Sequence, residues 1–216
     1  RGNGGLQIDQ HLGLTVGLPL GQNGNVNLAY IWLSSNDINT GIGPDTTSNS
    51  ANGVNVYGGS VDFKAAGFAF NANYAKSDMV FNTHSVINKQ NDAYDVSVNL
   101  TPKPAAAAST KGNLFGGNGF TAKVGYKQIN PQFAAPGDWG RIGMWWNPTD
   151  IKGAYGNFGL NLGDKTRLNA DVQFLSGTGN SVNVQGNSST GLRTNDHITS
   201  FVIGINHKLN EANSVD

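Results

Sequence analysis

From Leu12 onward apolar and polar positions alternate with period two: Leu12, Leu14, Val16, Leu18 and Leu20 fall on one side, and His11, Gly13, Thr15, Gly17 and Pro19 on the other. Successive side chains of a β-strand point to opposite faces, so this spacing predicts a strand with one apolar face. After the glycine-containing turn Gly21-Gln22-Asn23-Gly24 the pattern resumes with Val26, Leu28, Tyr30 and Trp32 against Asn25, Asn27 and Ala29, which predicts a hairpin. The same rule places strands on Tyr57, Val61 and Phe63; on Phe68, Phe70, Ala72 and Tyr74; on Tyr94, Val96, Val98 and Leu100; and on Phe120, Ala122, Val124 and Tyr126. Three more follow on Phe158, Leu160 and Leu162, on Leu168, Ala170, Val172 and Phe174, and on Phe201, Ile203 and Ile205, giving nine expected strands.

The links between them alternate as well. Those near residues 21–24, 65–67, 163–166 and 210–214 are short, and those near 37–53, 80–91, 131–149 and 178–196 are long. Residues 102–119, rich in proline, alanine and glycine, break the alternation where a short turn is expected. In an up-and-down barrel alternate links lie on opposite rims, short turns on one and long loops on the other, whereas a Greek-key sandwich has no reason to sort loops by parity. The expectation is an all-β fold, an antiparallel up-and-down transmembrane β-barrel, with residues 1–216 forming part of a single barrel. Bacterial single-chain membrane barrels have an even strand count, so at least one closing strand is expected beyond the nine visible.

Composition sharpens this picture. Glycine (30 residues) and asparagine (29 on counting the sequence) exceed a quarter of the 216 residues, and both are poor in helix interiors. The formal net charge is zero with 13% charged residues, which argues against a nucleic-acid binder and against an acidic disordered tail. There is no cysteine, hence no disulfide framework and no thiolate metal site. No apolar run reaches the roughly 18 residues of a membrane helix, while barrel strands need only about ten alternating residues and leave mean hydropathy low; here it is -0.33. The polar sides of the strands carry Gly, Asn, Ser and Thr with single charges, as in a water-filled lumen. The apolar sides place Tyr30, Trp32, Tyr57, Phe68, Tyr74, Tyr94, Phe120, Tyr126 and Phe174 near strand ends, as in an interfacial aromatic girdle. A soluble β-sandwich, with those aromatics in its core, is the competing reading.

One stretch is distinctive. Residues 122–153 read AKVGYKQINPQFAAPGDWGRIGMWWNPTDIKG, with Asn130-Pro131, a Pro136-Gly137 turn, Trp139, Arg141, Trp145, Trp146 and Asn147-Pro148-Thr149-Asp150. The order Pro-Gly, Trp-Gly-Arg-Ile-Gly and Trp-Asn-Pro-Thr resembles the barrel part of outer-membrane porins that carry an S-layer homology domain. The resemblance covers about 30 residues, and the rest is general barrel character. It implies a bacterial outer-membrane, multi-pass pore for small hydrophilic solutes, commonly a homotrimer, tethered to a cell-wall polymer by an S-layer homology module that is not in this chain.

Conduction through a wide pore needs no catalytic residues; solutes are sorted by size and by the field of charged side chains. Asp62, Lys64, Asp95, Lys123, Lys127, Lys152, Arg167 and Asp171 are the expected pore-lining charges, or else only solvate a wet lumen and neutralise their neighbours. Arg141 is either a constriction charge or a cation held on an indole face. Trp139, Trp145 and Trp146 are expected in the loop core or a subunit contact. His11, His84, His197 and His207 lack metal-ligand spacing, and Asp37 and Asp45 match no calcium loop. No cofactor and no enzymatic activity are expected, and the partners expected are membrane lipid and diffusing solutes. The alternatives are a structural envelope protein, S-layer-like or tethering, in which conduction is incidental, and a secreted β-sandwich adhesin.

Overall fold

The computed structural model describes residues 10–34, 53–80, 90–100, 119–133, 135, 141–142, 145–146, 148–162, 165–179, 192, 195–208 and 214–215. His84, Asp37, Asp45, Trp139, the 102–118 stretch and most of the other long links lie outside the described residues.

Nine long strands follow the alternating segments: β1 (Gln10–Leu20), β2 (Gly24–Ser34), β3 (Gly53–Ala65), β4 (Phe68–Val80), β5 (Asp92–Leu100), β6 (Phe120–Ile129), β9 (Ile151–Leu162), β10 (Thr166–Ser176) and β11 (His197–Lys208). Two-residue pieces complete the set: β7 (Arg141–Ile142) pairs with β8 (Trp145–Trp146) inside the link from β6 to β9, and β12 (Ser214–Val215) adds to β11. Every long strand is antiparallel to its chain neighbour, in the order β1-β2-β3-β4-β5-β6-β9-β10-β11-β12, so the chain forms one open up-and-down sheet. The described residues contain no helix long and apolar enough to cross a membrane, which leaves β-type crossing untouched.

Register fixes the two faces, because directly paired residues share a side. Leu14 faces Tyr30, which faces Tyr57; Val61 faces Ala72, which faces Val96, which faces Tyr126. Phe158 faces Ala170, which faces Ile203. Among the described residues, every large apolar side chain that stays exposed, Val202 apart, lies on this apolar face, with values up to 63% at Ile203. The other face carries Asp62, Lys64, Asp95, Lys123, Lys127, Arg167 and Asp171, and is called the charged face below.

The buried core is on the charged face but only at its long-loop end. Leu33, Val54 and Val56 form one cluster and Ile129, Phe133, Ile151 and Leu175 another, with Ala75 and Ala135 packed against both. Phe133 and Ala135 come from the link after β6, so this loop folds back over the sheet instead of standing away from it. There β2 is apolar on both sides over Tyr30-Ile31-Trp32-Leu33: Leu33, with Ile31 against its cluster, packs into the core on the charged face, while Tyr30 stays exposed on the other.

Candidate functional site

The turn half of the charged face is a field of polar side chains that bond both across and along strands. Asn27 donates to Ser60 Oγ at 3.1 Å, Asn71 to Asp62 at 2.6 Å and Asn73 to Asn71. Asn157 donates to Asp171, and Arg167 donates to Asn169 Oδ1 at 2.9 Å and, across β9, to Thr121 Oγ1 at 3.1 Å. That reach is possible because Gly159 lies between them: a Cβ there would stand 2.5 Å from the Arg167 guanidinium and 2.6 Å from Thr121 Oγ1.

The same device organises β5, β6 and β9. Tyr155 lies flat across Gly125, where a Cβ would meet its ring at 2.5 Å, and its hydroxyl donates to Asp95 Oδ1 at 3.0 Å. Lys123 and Lys127 flank Gly125 on β6 and hold their ammonium groups 5.5 and 5.7 Å from the Tyr155 ring centre, within cation–π range. Lys127 also donates to Gln173 Oε1 at 3.3 Å. One tyrosine thus gathers a carboxylate and two ammonium groups from neighbouring strands. Sequence reading places Asp95, Lys123 and Lys127 among the path-lining charges but misses Tyr155; the signal available is the lone glycine of β6, Gly125, between the two lysines.

Asp62, Lys64, Asp95, Lys123, Lys127, Arg167 and Asp171 therefore share one face, spread over strands from β3 to β10. Lys152 does not join them. Ile151 is fully buried on the charged face, so its neighbour must point the other way. Lys152 pairs with Gln128 and Ser176 on the apolar face and donates to the Thr178 carbonyl at 3.2 Å. Arg141 pairs with Trp146, and Ile142 with Trp145, in the β7–β8 ladder; only the backbone of these residues is described.

The link from β6 to β9 is stitched down at both ends. At the first, Asn130 donates to Asp92 Oδ1 at 2.8 Å, its backbone N–H donates to the Asp92 carbonyl at 3.0 Å, and Gln132 N–H donates to the Gln90 carbonyl at 3.0 Å. At the second, Asp150, fully buried, accepts from the Thr178 backbone N–H at 3.2 Å and from the Thr178 hydroxyl, which ties this link to the one after β10. Phe133, only 6% exposed, is thereby held over the rim half of the charged face.

The apolar face has its own order. Tyr30, Tyr57, Tyr74, Tyr94, Tyr126 and Phe174 run across it near the long-loop rim, stepping two residues toward the turns between β3 and β4 and again between β5 and β6, the stagger expected of tilted strands. The hydroxyls of three of them donate to a polar rim: Tyr30 to Asn55 at 2.9 Å, Tyr57 to Asp78 at 3.0 Å and Tyr94 to Gln128 at 2.9 Å. Toward the turns the aromatics are phenylalanines instead, with Phe68 and Phe70 6.4 Å apart.

Among known proteins, no family model, no curated protein and no solved structure matches the chain. The class the fold itself defines is an all-β antiparallel meander with one apolar and one charged face.

Proposed function

We propose that this chain forms the wall of a bacterial outer-membrane porin, a water-filled, weakly selective channel for passive diffusion of small hydrophilic solutes and ions. One observation carries the reading: a continuous, exposed apolar face whose edge is a line of tyrosines hydrogen-bonded to a polar rim, backed by a face of cross-bonded charges. In water, so many exposed Leu, Val, Ile and Phe side chains on one face would form a large sticky patch; against lipid they are in their proper solvent. The strands, 9 to 13 residues long, match the 9–11 residues that tilted membrane strands require, with some to spare at the rims. The mixture of Asp, Lys and Arg on the other face supports weak selectivity. Homotrimer formation and tethering through an S-layer homology module belong to the same proposal and rest on the resemblance of the 130–153 segment.

Planar-bilayer recording tests it. Stable ohmic current steps are expected from the folded protein, and persistent silence from protein known to be inserted and folded would refute it. The packing of Phe133 onto the long-loop end of the charged face favours a second reading, a structural envelope protein with incidental conduction, and a silent inserted barrel would leave that reading standing.

A further inference from the structure

Beneath Phe133 the charged face holds a recess of about 400 Å³, within the size range of small-molecule sites. It exists because one register row carries almost no side chain: Ala29 pairs with Gly58, Gly58 with Ala75, and Ala75 with Ala93. On the rim side Ile31, Val56, Ile129 and Phe133 line it. On the turn side the next row supplies a polar lip, Asn27, Ser60, Asn73, Asp95 and Lys127.

The lip holds two opposite charges that do not bond each other. Asp95 and Lys127 are direct cross-strand partners, yet the one ion pair among the described residues is Lys76–Asp78 at 3.7 Å, on the apolar face. Asp95 is held instead by the Tyr155 hydroxyl, and Lys127 by Gln173 and the Tyr155 ring. Since a carboxylate offers two oxygens and an ammonium three N–H groups, each keeps bonding capacity while its position is fixed. An apolar pocket with a few converging polar groups is the arrangement that selects a ligand with an apolar body and a polar head. Here the head must carry both signs.

We propose that this recess binds a zwitterionic α-amino acid with an apolar side chain. The side chain lies over the Ala29–Ala93 row under Phe133, the ammonium meets Asp95 and the carboxylate meets Lys127. The inference rests on the porin reading, which brings solutes to this face, and adds to general diffusion a preference for one solute class.

Binding is measured by titration calorimetry on the full protein folded in detergent micelles, with L-phenylalanine as probe and L-serine and N-acetyl-L-phenylalanine amide as controls. Phenylalanine is expected to bind at least tenfold tighter than either control. Ala93→Leu, which fills the recess, is expected to weaken phenylalanine binding at least tenfold, and Lys127→Gln and Asp95→Asn at least fivefold each, in protein whose β-type circular dichroism is unchanged. Where Ala93→Leu does not fold, Ala29→Val serves the same purpose. Equal binding of phenylalanine and serine, or unaltered phenylalanine binding in a folded recess-filling variant, would overturn the proposal. The readout needs no current: binding in a protein silent in bilayers would refute the porin and leave the recess, whereas conduction without phenylalanine binding would refute the recess alone.

Discussion

Replacing Val96 with arginine separates a lipid-facing sheet from a water-facing one. On the apolar face β5 runs from Asp92 to Leu100 with Val96 at its middle, flanked across strands by Ala72 and Tyr126, and 45% exposed. At about 3.3 Å per residue, Val96 is roughly 13 Å along the strand from either end. A tilt of about 40° turns that into roughly 10 Å of depth on each side, a band of about 20 Å, close to the apolar height of known membrane barrels. An arginine at such a depth costs about 2–4 kcal/mol, falling to about 0–1 kcal/mol near an interface. Gln10→Arg, at the rim end of the same face on β1, is the matched control. The assay is urea unfolding from lipid vesicles, followed by tryptophan fluorescence and electrophoretic mobility. A loss of about 2–4 kcal/mol for Val96→Arg with about 1 kcal/mol or less for Gln10→Arg is expected. If the face met water, both exposed substitutions would stay within about 0.5 kcal/mol of the parent, and that result, or equal losses at the two depths, would refute the membrane reading.

Neutralising Lys123 and Lys127 together to glutamine should shift the reversal potential in a salt gradient toward cation preference; an unmoved potential would take both residues off the ion path. Gly125→Ala puts a methyl 2.5 Å from the Tyr155 ring, so the ring must lift from Asp95 and the two ammonium groups; a loss of about 1–3 kcal/mol in denaturant unfolding is expected, whereas Gly13→Ala, with nothing within 4 Å, should be near neutral. Phe133→Ala removes the aromatic that anchors the inward loop; single-channel conductance should rise, with about 3–5 kcal/mol lost from stability, and a parent-like conductance would show that the loop does not narrow the path.

Strand positions were legible because one face of the sheet is apolar over its whole height, which is what period-two reading detects. All nine long strands lie on the alternating segments, but several extend further than alternation alone marks. β3 begins at Gly53, β4 ends at Val80 and β9 begins at Ile151, all at the long-loop end. There Val54, Val56, Ile151 and Leu175 turn into the two core clusters on the charged face; on β3, β4 and β9 polar residues, Asn55, Asp78 and Lys152, take the other side, while on β2 both sides are apolar, so the simple alternation breaks. Runs such as Tyr30-Ile31-Trp32-Leu33 carried that message. Lys152 departs from the expected charged face for a related reason: at this end of β9 the buried position is Ile151, which puts Lys152 on the opposite side, and that burial shows only in the folded sheet. The Tyr155 cluster was hidden because it depends on what glycine leaves empty on a neighbouring strand, and single-strand patterns do not contain the neighbour. The hairpin of β7 and β8 inside the link from β6 to β9 has a ladder of only two pairs, too short to carry a periodic signal.

Each long strand finds its partner in the strand immediately before or after it, the small β7–β8 insert aside. In such a meander the register of any hairpin is settled by nearby residues, so loop-closure entropy stays small and assembly can proceed by adding hairpins in turn. It also means that removing a pair such as β3 and β4 would leave β2 beside β5 with antiparallel polarity intact. Sheet width can therefore change in steps of two strands over evolutionary time while the local grammar of every remaining strand is preserved, and a lineage that varies in this way keeps its architecture while losing overall sequence likeness.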